Sequence, residues 1–177
     1  MTFPGEETGC FGSAGYVLGH LDEIDKIKFM FNLDGAGRAN KPGVMVQGWS
    51  DAIPFFKKLS VDMSQPMPLG VGFSLYSDHM PFALRGIHTA SLRGGSGFTS
   101  WRGTRGWGHT MADTEDKVDI RDMREAAANL SRILIKLATV EELPFKRKSR
   151  DEIRAMLQKY DNDEVMKILR SYPSWLK

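Results

Sequence analysis

Short apolar segments alternate along the chain with segments in which apolar residues recur at helical spacing. This alternation is typical of an α/β fold, in which helices pack against a sheet. A helix is predicted over residues 51–59, because Ile53, Phe56 and Leu59 fall on one face. The apolar segments predict four strands, at residues 27–33, 43–48, 69–76 and 87–92.

The most regular helical pattern follows a stretch over residues 93–108 that is rich in Gly, Trp and Arg and is predicted to be a long loop. Asp119 and Asp122 stand at the start of this helix, where carboxylates favour the positive end of the helix dipole. Its apolar positions step by four, three, four and three residues and predict one apolar face: Met123, Ala127, Leu130, Leu134 and Leu137.

The C-terminal region is predicted to be helical as well. The basic cluster over residues 146–148 is predicted to be solvated surface without a function of its own. We therefore divide the chain into a catalytic domain over residues 1–140 and a helical extension over 141–177 that packs on it. Two capping-box patterns predict the starts of two short helices: Ser149 with Glu152, and Asp161 with Glu164.

The composition excludes several classes of protein. A single cysteine, Cys10, excludes an internal disulfide framework and a Cys-rich zinc knuckle. The formal net charge of +2 does not indicate nucleic-acid binding, and no apolar run approaches the roughly 20 residues of a membrane span. A soluble globular domain is expected. Localisation stays open, because a targeting signal could precede Met1.

Four segments carry side chains that suit metal chemistry. Adjacent side chains on an extended backbone point in different directions, so Glu6 and Glu7 can offer one carboxylate to a metal and keep the other as a base. Asp34 ends a predicted strand, and ligands collect at the carboxyl ends of strands in open α/β sheets. Taken alone, a glutamate pair near a terminus or an Asp at a turn has an ordinary structural explanation.

The other two segments contain histidine. Asp78 and His79 follow the third predicted strand, where an Asp beside a His can orient a neighbouring ligand or cap a helix. His109 follows the glycine-rich loop, and neutral imidazole is a common zinc ligand. His20 and His88 lack comparable surroundings and are predicted to be structural.

The order and spacing of these segments resemble the di-zinc aminopeptidase family. That family includes bacterial leucyl aminopeptidases and aminopeptidase Y, with glutamate carboxypeptidase and glutaminyl cyclase as relatives. The resemblance covers roughly residues 1–140 and implies a three-layer sandwich with a central mixed, mostly parallel sheet that lacks its N-terminal strands. The segments that carry it are Gly-Glu-Glu-Thr-Gly, Gly-Ser-Ala-Gly-Tyr, Asn-Leu-Asp, Ser-Asp-His-x-Pro-Phe and His-Thr-x-x-Asp-Thr.

The resemblance also implies a role for each matching residue. Glu6 matches the general base that takes a proton from the zinc-activated water. Glu7 and His109 match ligands of one zinc ion, and Asp34 matches a ligand of the second. Four further residues match supporting or substrate-binding positions rather than ligands: Tyr76, Asp78, His79 and Asp113.

The chain departs from the family pattern upstream of Glu6. The family has a His ligand and a metal-bridging Asp there, and the five residues before Glu6 contain neither. Since a catalytic zinc normally has three protein ligands, the chain alone is not expected to hold a complete di-zinc site. We therefore expect a downstream part of a longer catalytic domain, completed by an upstream polypeptide or by a second copy.

The predicted function is that of a zinc aminopeptidase, which hydrolyses the N-terminal residues of peptide substrates. Two alternatives stay open: a glutaminyl-cyclase-type aminoacyltransferase, and an inactive peptidase-like module that binds a partner. The loop residues Trp101, Arg102, Arg105 and Trp107 suit a gate over a substrate, a contact surface or simple loop packing. A peptide is the expected ligand, and no nucleic acid or membrane partner is expected.

Overall fold

The computed structural model of the chain describes residues 1–37, 42–94 and 109–160. The strands are β1 Met30–Leu33, β2 Pro42–Gln47, β3 Leu69–Gly72 and β4 Thr89–Gly94. The α-helices are α1 Phe11–Gly19, α2 Ile53–Asp62, α3 Met80–Ala83, α4 Ile120–Thr139 and α5 Arg150–Lys159. Short 3₁₀ helices span Ile24–Lys26, Ser50–Ala52 and Glu115–Lys117.

The strands form one sheet in the order β1-β4-β2-β3. β1 runs parallel to β4, β2 runs parallel to β3, and β2 runs antiparallel to β4. The prediction of a mixed, mostly parallel sheet flanked by helices is therefore confirmed. β1 is an edge strand, and its carboxyl end leads directly into Asp34.

One face of the sheet is apolar and carries the largest core. Val46 and Ala90 lie opposite each other on this face, and α2 packs over them with Phe56 and Leu59. The predicted buried face of α2 is confirmed, with Ile53 partly buried at its start. Burial of each large apolar side chain here contributes about 1.5–3 kcal/mol to the free energy of folding. This apolar packing holds the sheet against α2 and α4.

The opposite face of the sheet is lined by polar side chains. Strand alternation places Asn32, Gln47 and Ser91 on this side, and the Gln47 amide Nε2 donates to the Ser91 hydroxyl at 3.1 Å. α1 and α3 cover this face and pack together through a second core that contains Val17 and Phe82. Helices therefore lie on both faces, which gives the predicted three layers.

Two predicted strands are longer in the sequence pattern than in the structure. The first begins at Met30 rather than at 27, because Ile27 closes the 3₁₀ helix by donating to the Ile24 carbonyl at 3.2 Å. The third ends at Gly72 rather than at Tyr76. The chain then leaves the sheet, so that Ser77 reaches Asn32 on β1.

α4 begins as predicted but buries a different face. Its N-cap Asp119 accepts hydrogen bonds from the backbone nitrogens of Arg121 at 2.8 Å and Asp122 at 3.0 Å. The buried positions are Asp122, Ala126, Asn129, Ile133 and Leu137. Of the predicted face only Leu137 is buried and Leu130 is partly buried, so the prediction is wrong at Met123, Ala127 and Leu134. Periodicity marks where the apolar side chains are; the orientation of α4 on the sheet decides which of them the chain itself covers.

The segment before α5 is held more firmly than the sequence predicts. The Lys148 side chain is only 12% exposed and pairs with Asp51, and Arg147 pairs with Asp25. The prediction that cluster 146–148 is solvated surface is therefore wrong at Lys148, whereas Lys146 and Arg147 are exposed. The Ser149–Glu152 capping box is confirmed.

α5 packs Ile153, Met156 and Leu157 against Leu84. The helix predicted at Asp161 and the loop residues of 95–108 lie outside the described residues, and the domain division at residue 140 stays a prediction. No helix in the described ranges has the length and apolar character needed to cross a bilayer.

Candidate functional site

The candidate site lies where the carboxyl end of β1 meets the turn that precedes α1. In that turn the Glu6 carbonyl accepts hydrogen bonds from the backbone nitrogens of Gly9 and Cys10, both at 3.0 Å. Gly9 has a φ of 123°, a conformation that a residue with a side chain rarely adopts. The turn thereby fixes the backbone that carries the Glu6 and Glu7 side chains.

Glu7 and His109 lie close together although they are 102 positions apart in the sequence. The Glu7 Oε1 and His109 Nε2 atoms are 3.0 Å apart, and both side chains are exposed. His109 has a left-handed backbone with a φ of 64°, a conformation that is uncommon outside glycine and clusters at functional sites. A carboxylate and an imidazole at hydrogen-bond distance are two donors of the kind that zinc takes.

Asp34 is oriented by a chain of hydrogen bonds. The Asn32 amide Nδ2 donates to the Ser77 Oγ at 2.7 Å, and the Ser77 hydroxyl donates to the Asp34 Oδ2 at 2.9 Å. Asn32 and Ser77 are buried, and Ser77 has a φ of 83°. This strained backbone turns the Ser77 hydroxyl toward Asp34, so that one carboxylate oxygen is held and the other stays available.

Glu6 lies within the electrostatic influence of the whole cluster. Burial raises the pKa of Glu6 above its ordinary value of 4.5, and the negative charges of Asp34, Glu7 and Asp78 raise it further. The charge of His109 acts in the opposite direction. Glu7, Asp34 and His109 therefore all lie close enough to Glu6 to affect its charge.

The charges of the cluster favour a cation. Four carboxylates, on Glu6, Glu7, Asp34 and Asp78, share the region with the imidazole of His109. The Asp78 Oδ1 is buried and has no hydrogen-bond partner among the described residues. A buried, unpaired carboxylate oxygen is costly, and a divalent cation would offset both this cost and the mutual repulsion.

The set of donors is nevertheless incomplete. Within residues 1–37, 42–94 and 109–160, no three His, Cys, Asp or Glu side chains converge as a metal site. Glu7 and His109 form one pair, and Asp34 is bonded to Ser77 instead. The donors present fit zinc in kind, and their number falls short of the usual three.

The remaining candidate residues are placed around this cluster. His79 is buried, its Nε2 lies 3.0 Å from the Ser74 carbonyl oxygen, and its ring packs on Phe73. Tyr76 is largely exposed, and Asp113 is exposed in the segment after His109. Their predicted supporting or substrate-binding roles stay predictions.

Sequence reasoning did not single out Asn32 or Cys10 as parts of the site. Asn32 stands in the Asn-Leu-Asp segment that carries the resemblance, two positions before Asp34, but the resemblance assigns it no role. Cys10 is buried beside the glutamate turn, and burial raises the pKa of its thiol, as do the charges of Glu6 and Asp78. This marks Cys10 as a packed thiol rather than a nucleophile.

A sequence model described as peptidase family M28 matches residues 1–134. Curated proteins give no significant match.

Among solved structures, an aminopeptidase from Aneurinibacillus sp. strain AM-1 superposes with a TM-score of 0.62 at 23% identity, over 84% of this chain and 36% of its own. The Bacillus subtilis zinc aminopeptidase gives a TM-score of 0.61 at 23% identity, over 80% of this chain and 36% of its own. The LapA aminopeptidase from Legionella pneumophila gives a TM-score of 0.61 at 23% identity, over 77% of this chain and 38% of its own. The chain thus shares their fold and spans little more than a third of their length.

Proposed function

Since the chain belongs to peptidase family M28, we propose that it is the catalytic portion of a zinc-dependent aminopeptidase that removes N-terminal residues from peptides. The observation that carries this proposal is the Glu7–His109 pair, whose Oε1 and Nε2 atoms lie 3.0 Å apart beside Glu6, which also feels the negative charge of Asp34. The similar Bacillus subtilis structure is that of a zinc aminopeptidase, which supports the metal and the reaction class.

Glu6 is proposed as the residue that moves the proton. Its carboxylate takes a proton from the attacking water and returns it to the leaving amine nitrogen when the peptide bond breaks. Burial and the neighbouring carboxylates raise the pKa of Glu6, which brings it closer to neutral pH and makes it a better-matched proton shuttle. Glu7, next in sequence, is left to bind metal.

Glu7, His109 and Asp34 are proposed as the metal-binding residues. Zinc, when bound, supplies Lewis-acid activation of water and of the scissile carbonyl. The Asn32–Ser77 hydrogen bonds hold the Asp34 carboxylate in one orientation. The donors that complete the site are proposed to come from outside the described residues, on an upstream polypeptide or a second copy.

The same carboxylates would favour a substrate with a free amino terminus. An ammonium group is attracted to the cluster, whereas an acylated terminus carries no charge and gains nothing from it. This distinction argues for an exopeptidase. The incomplete donor set among the described residues favours one other candidate, a peptidase-like module that binds a partner without turnover.

Three peptides separate the candidates in one assay with added zinc. We expect slow release of leucine from a peptide that begins with a free Leu, and none from the same peptide acetylated at its N-terminus. The Glu6→Gln variant keeps the shape of the side chain and removes the base, so we expect its rate to fall at least about 100-fold while its zinc content stays unchanged.

Each other outcome contradicts a stated part of the proposal. Wild-type rates in Glu6→Gln exclude Glu6 as the base, and cleavage of the acetylated peptide excludes an exopeptidase. Pyroglutamate from a peptide that begins with Gln would support the cyclase instead. No product from any of the three peptides would support the inactive module.

A further inference from the structure

α5 lies outside the residues that the M28 family model matches, and it packs on a segment of the candidate site. The family model matches residues 1–134, whereas α5 spans Arg150–Lys159. We call residues 73–80 the site segment, because they contain Ser77, whose hydroxyl donates to Asp34. The family match therefore assigns no role to α5, and its contacts with the site segment are specific to this chain.

The apolar side of α5 forms one core with both halves of the site segment. Phe73 and Leu75 in the first half, and Met80 at its end, pack against this core. Ser77 lies between Leu75 and Met80, so α5 restrains the segment on both sides of the residue that holds Asp34. The α5 residues of the core, none of them more than 3% exposed, are Ile153, Met156 and Leu157.

A row of rings leads from α5 into the site segment. Tyr160 directly follows α5, and its ring centroid lies 6.2 Å from that of Phe73. The Phe73 ring in turn lies edge-on to His79, at 6.4 Å between centroids. His79 is fully buried, and its Nε2 lies 3.0 Å from the Ser74 carbonyl oxygen. Because His79 and Ser74 close the loop that contains Ser77, packing on the His79 ring restrains that loop.

Met156 of α5 and Phe73 both lie against the end of β2. Gly48 has a φ of 92°, and a Cβ there would collide with the Met156 Sδ and lie 3.6 Å from the Phe73 Cδ2. The Gly48 nitrogen also donates to the Gly72 carbonyl at 2.6 Å, at the point where the chain leaves β3. Phe73 is therefore held between α5 and the sheet at the start of the site segment.

The start of α5 is anchored by residues outside the site segment. Ser149 and Glu152 form its capping box. The Lys148 nitrogen donates to the Gly86 carbonyl at 2.9 Å, and the Lys148 side chain pairs with Asp51. Since none of these partners belongs to residues 73–80, α5 has a fixed position from which it can restrain the site segment.

Ser77 needs such restraint, because its backbone is strained. Its φ of 83° is costly for a residue with a side chain and persists only where the surroundings impose it. In that conformation the Ser77 hydroxyl accepts from the Asn32 Nδ2 at 2.7 Å and donates to the Asp34 Oδ2 at 2.9 Å.

We propose that α5 is a positioning element of the candidate site: packing of Tyr160 and Met156 on Phe73 holds Ser77, and Ser77 orients the Asp34 carboxylate. The metal-binding role of Asp34 rests on the proposed function, whereas the restraint of Ser77 by α5 does not. Outer contacts of this kind commonly tune the affinity of a metal site.

Tyr160→Ala and Tyr160→Phe form the matched pair that tests the restraint, since the first removes the ring and the second keeps it. Hydrogen exchange by nuclear magnetic resonance is measured at two sites. One is the Asn32 side-chain amide, and the other is the Met80 backbone amide, which donates to the Ser77 carbonyl at 3.1 Å. We expect exchange at both sites to quicken at least about fivefold in Tyr160→Ala and to stay within about twofold of wild type in Tyr160→Phe.

Leu137→Ala controls for a general loss of stability. Leu137 is buried in the core on the other face of the sheet, so its truncation destabilises the fold without touching α5. We expect exchange at Asn32 and Met80 to stay within about twofold of wild type in this variant. Wild-type exchange in Tyr160→Ala, or equal quickening in Tyr160→Phe or Leu137→Ala, overturns the proposal.

Zinc titration of the same variants tests whether the restraint reaches Asp34. We expect zinc affinity to fall at least about threefold in Tyr160→Ala and to stay unchanged in Tyr160→Phe and Leu137→Ala. Unchanged affinity in Tyr160→Ala, in a chain whose affinity Glu7→Gln weakens, overturns the link to Asp34. A wild-type chain that binds no zinc contradicts the proposed function instead, and the exchange rates then decide the role of α5 alone.

Discussion

Ser77 has an unfavourable left-handed backbone conformation, and its side chain makes two hydrogen bonds that offset the cost. The residue holds a φ of 83° while its hydroxyl accepts from Asn32 and donates to Asp34. Ser77→Ala removes both bonds and leaves the buried Asn32 amide without its partner. We expect this variant to lose about 1–3 kcal/mol of unfolding free energy, measured by urea denaturation.

Ser77→Gly provides the matched control. It loses the same hydroxyl but adopts positive φ without steric conflict, so it should be more stable than Ser77→Ala by about 1 kcal/mol. Equal stability of the two variants would show that the Ser77 backbone is not strained, and the orienting role argued for it would lose its support.

The sequence predicts some residues of the site and not the hydrogen bonds that orient them. Glu6, Glu7, Asp34 and His109 stand in motifs whose order and spacing are visible in the sequence. The Asn32–Ser77 bond joins residues 45 positions apart. It exists because the chain leaves the sheet after Gly72 and crosses to β1, and no local pattern encodes that path.

His88 ties three elements together beside the sheet. It directly precedes β4, is 2% exposed, and its Nε2 lies 3.1 Å from the Asp51 Oδ1. Asp51 also pairs with Lys148, which leads into α5. Burial lowers the pKa of His88 below its ordinary 6.5, and the charge of Lys148 lowers it further, whereas Asp51 and Glu152 act in the opposite direction.

The sign of the pH dependence follows from this lowered pKa. Below about pH 6.5 the unfolded chain takes up a proton at His88 and the folded chain does not, so stability falls as the pH falls. Loss of the Asp51 interactions follows at lower pH, because hydrogen bonds from Lys148 and His88 outweigh burial and lower the pKa of Asp51 below 3.8.

We expect His88→Gln to remove the loss of stability that protonation of His88 causes as the pH falls. Glutamine can still donate to Asp51 and does not titrate, so between about pH 7 and about pH 5 the variant should lose less stability than wild type, by up to about 1.4 kcal/mol per pH unit. Urea denaturation at each pH measures the slope. Identical slopes for variant and wild type would show that His88 protonates equally in the folded and unfolded chains.

The elements themselves could be predicted from pattern, and their orientation could not. The four strands, α2, α4 and the capped start of α5 are all present in the sequence as apolar periodicity and caps. The face of α4 is different, because Asn129 and Asp122 are buried while Met123 and Leu134 are exposed. Only the three-dimensional packing shows which positions of α4 are buried against the sheet.

Among the described residues, the sheet has β1 at one of its two edges, and the site beside β1 has an incomplete set of donors. Both features lie at β1, which ends in Asp34 and has no partner strand among the described residues on its outer side. The sequence does not predict that the Glu7 Oε1 and His109 Nε2 atoms lie 3.0 Å apart. That distance depends on the turn that carries Glu7 and on the left-handed backbone at His109, which are far apart in sequence.

Zinc titration of the purified chain, followed by a competing metal indicator, tests the central claim most directly. We expect one weakly held zinc ion per chain, with affinity reduced at least about tenfold in both Glu7→Gln and His109→Gln. His20→Gln is the matched control, because the His20 ring stacks on Tyr16 at 4.2 Å and should leave zinc affinity unchanged. No zinc binding, or equal affinity in wild type and both ligand variants, would contradict the assignment of this chain as the metal-binding portion of a peptidase.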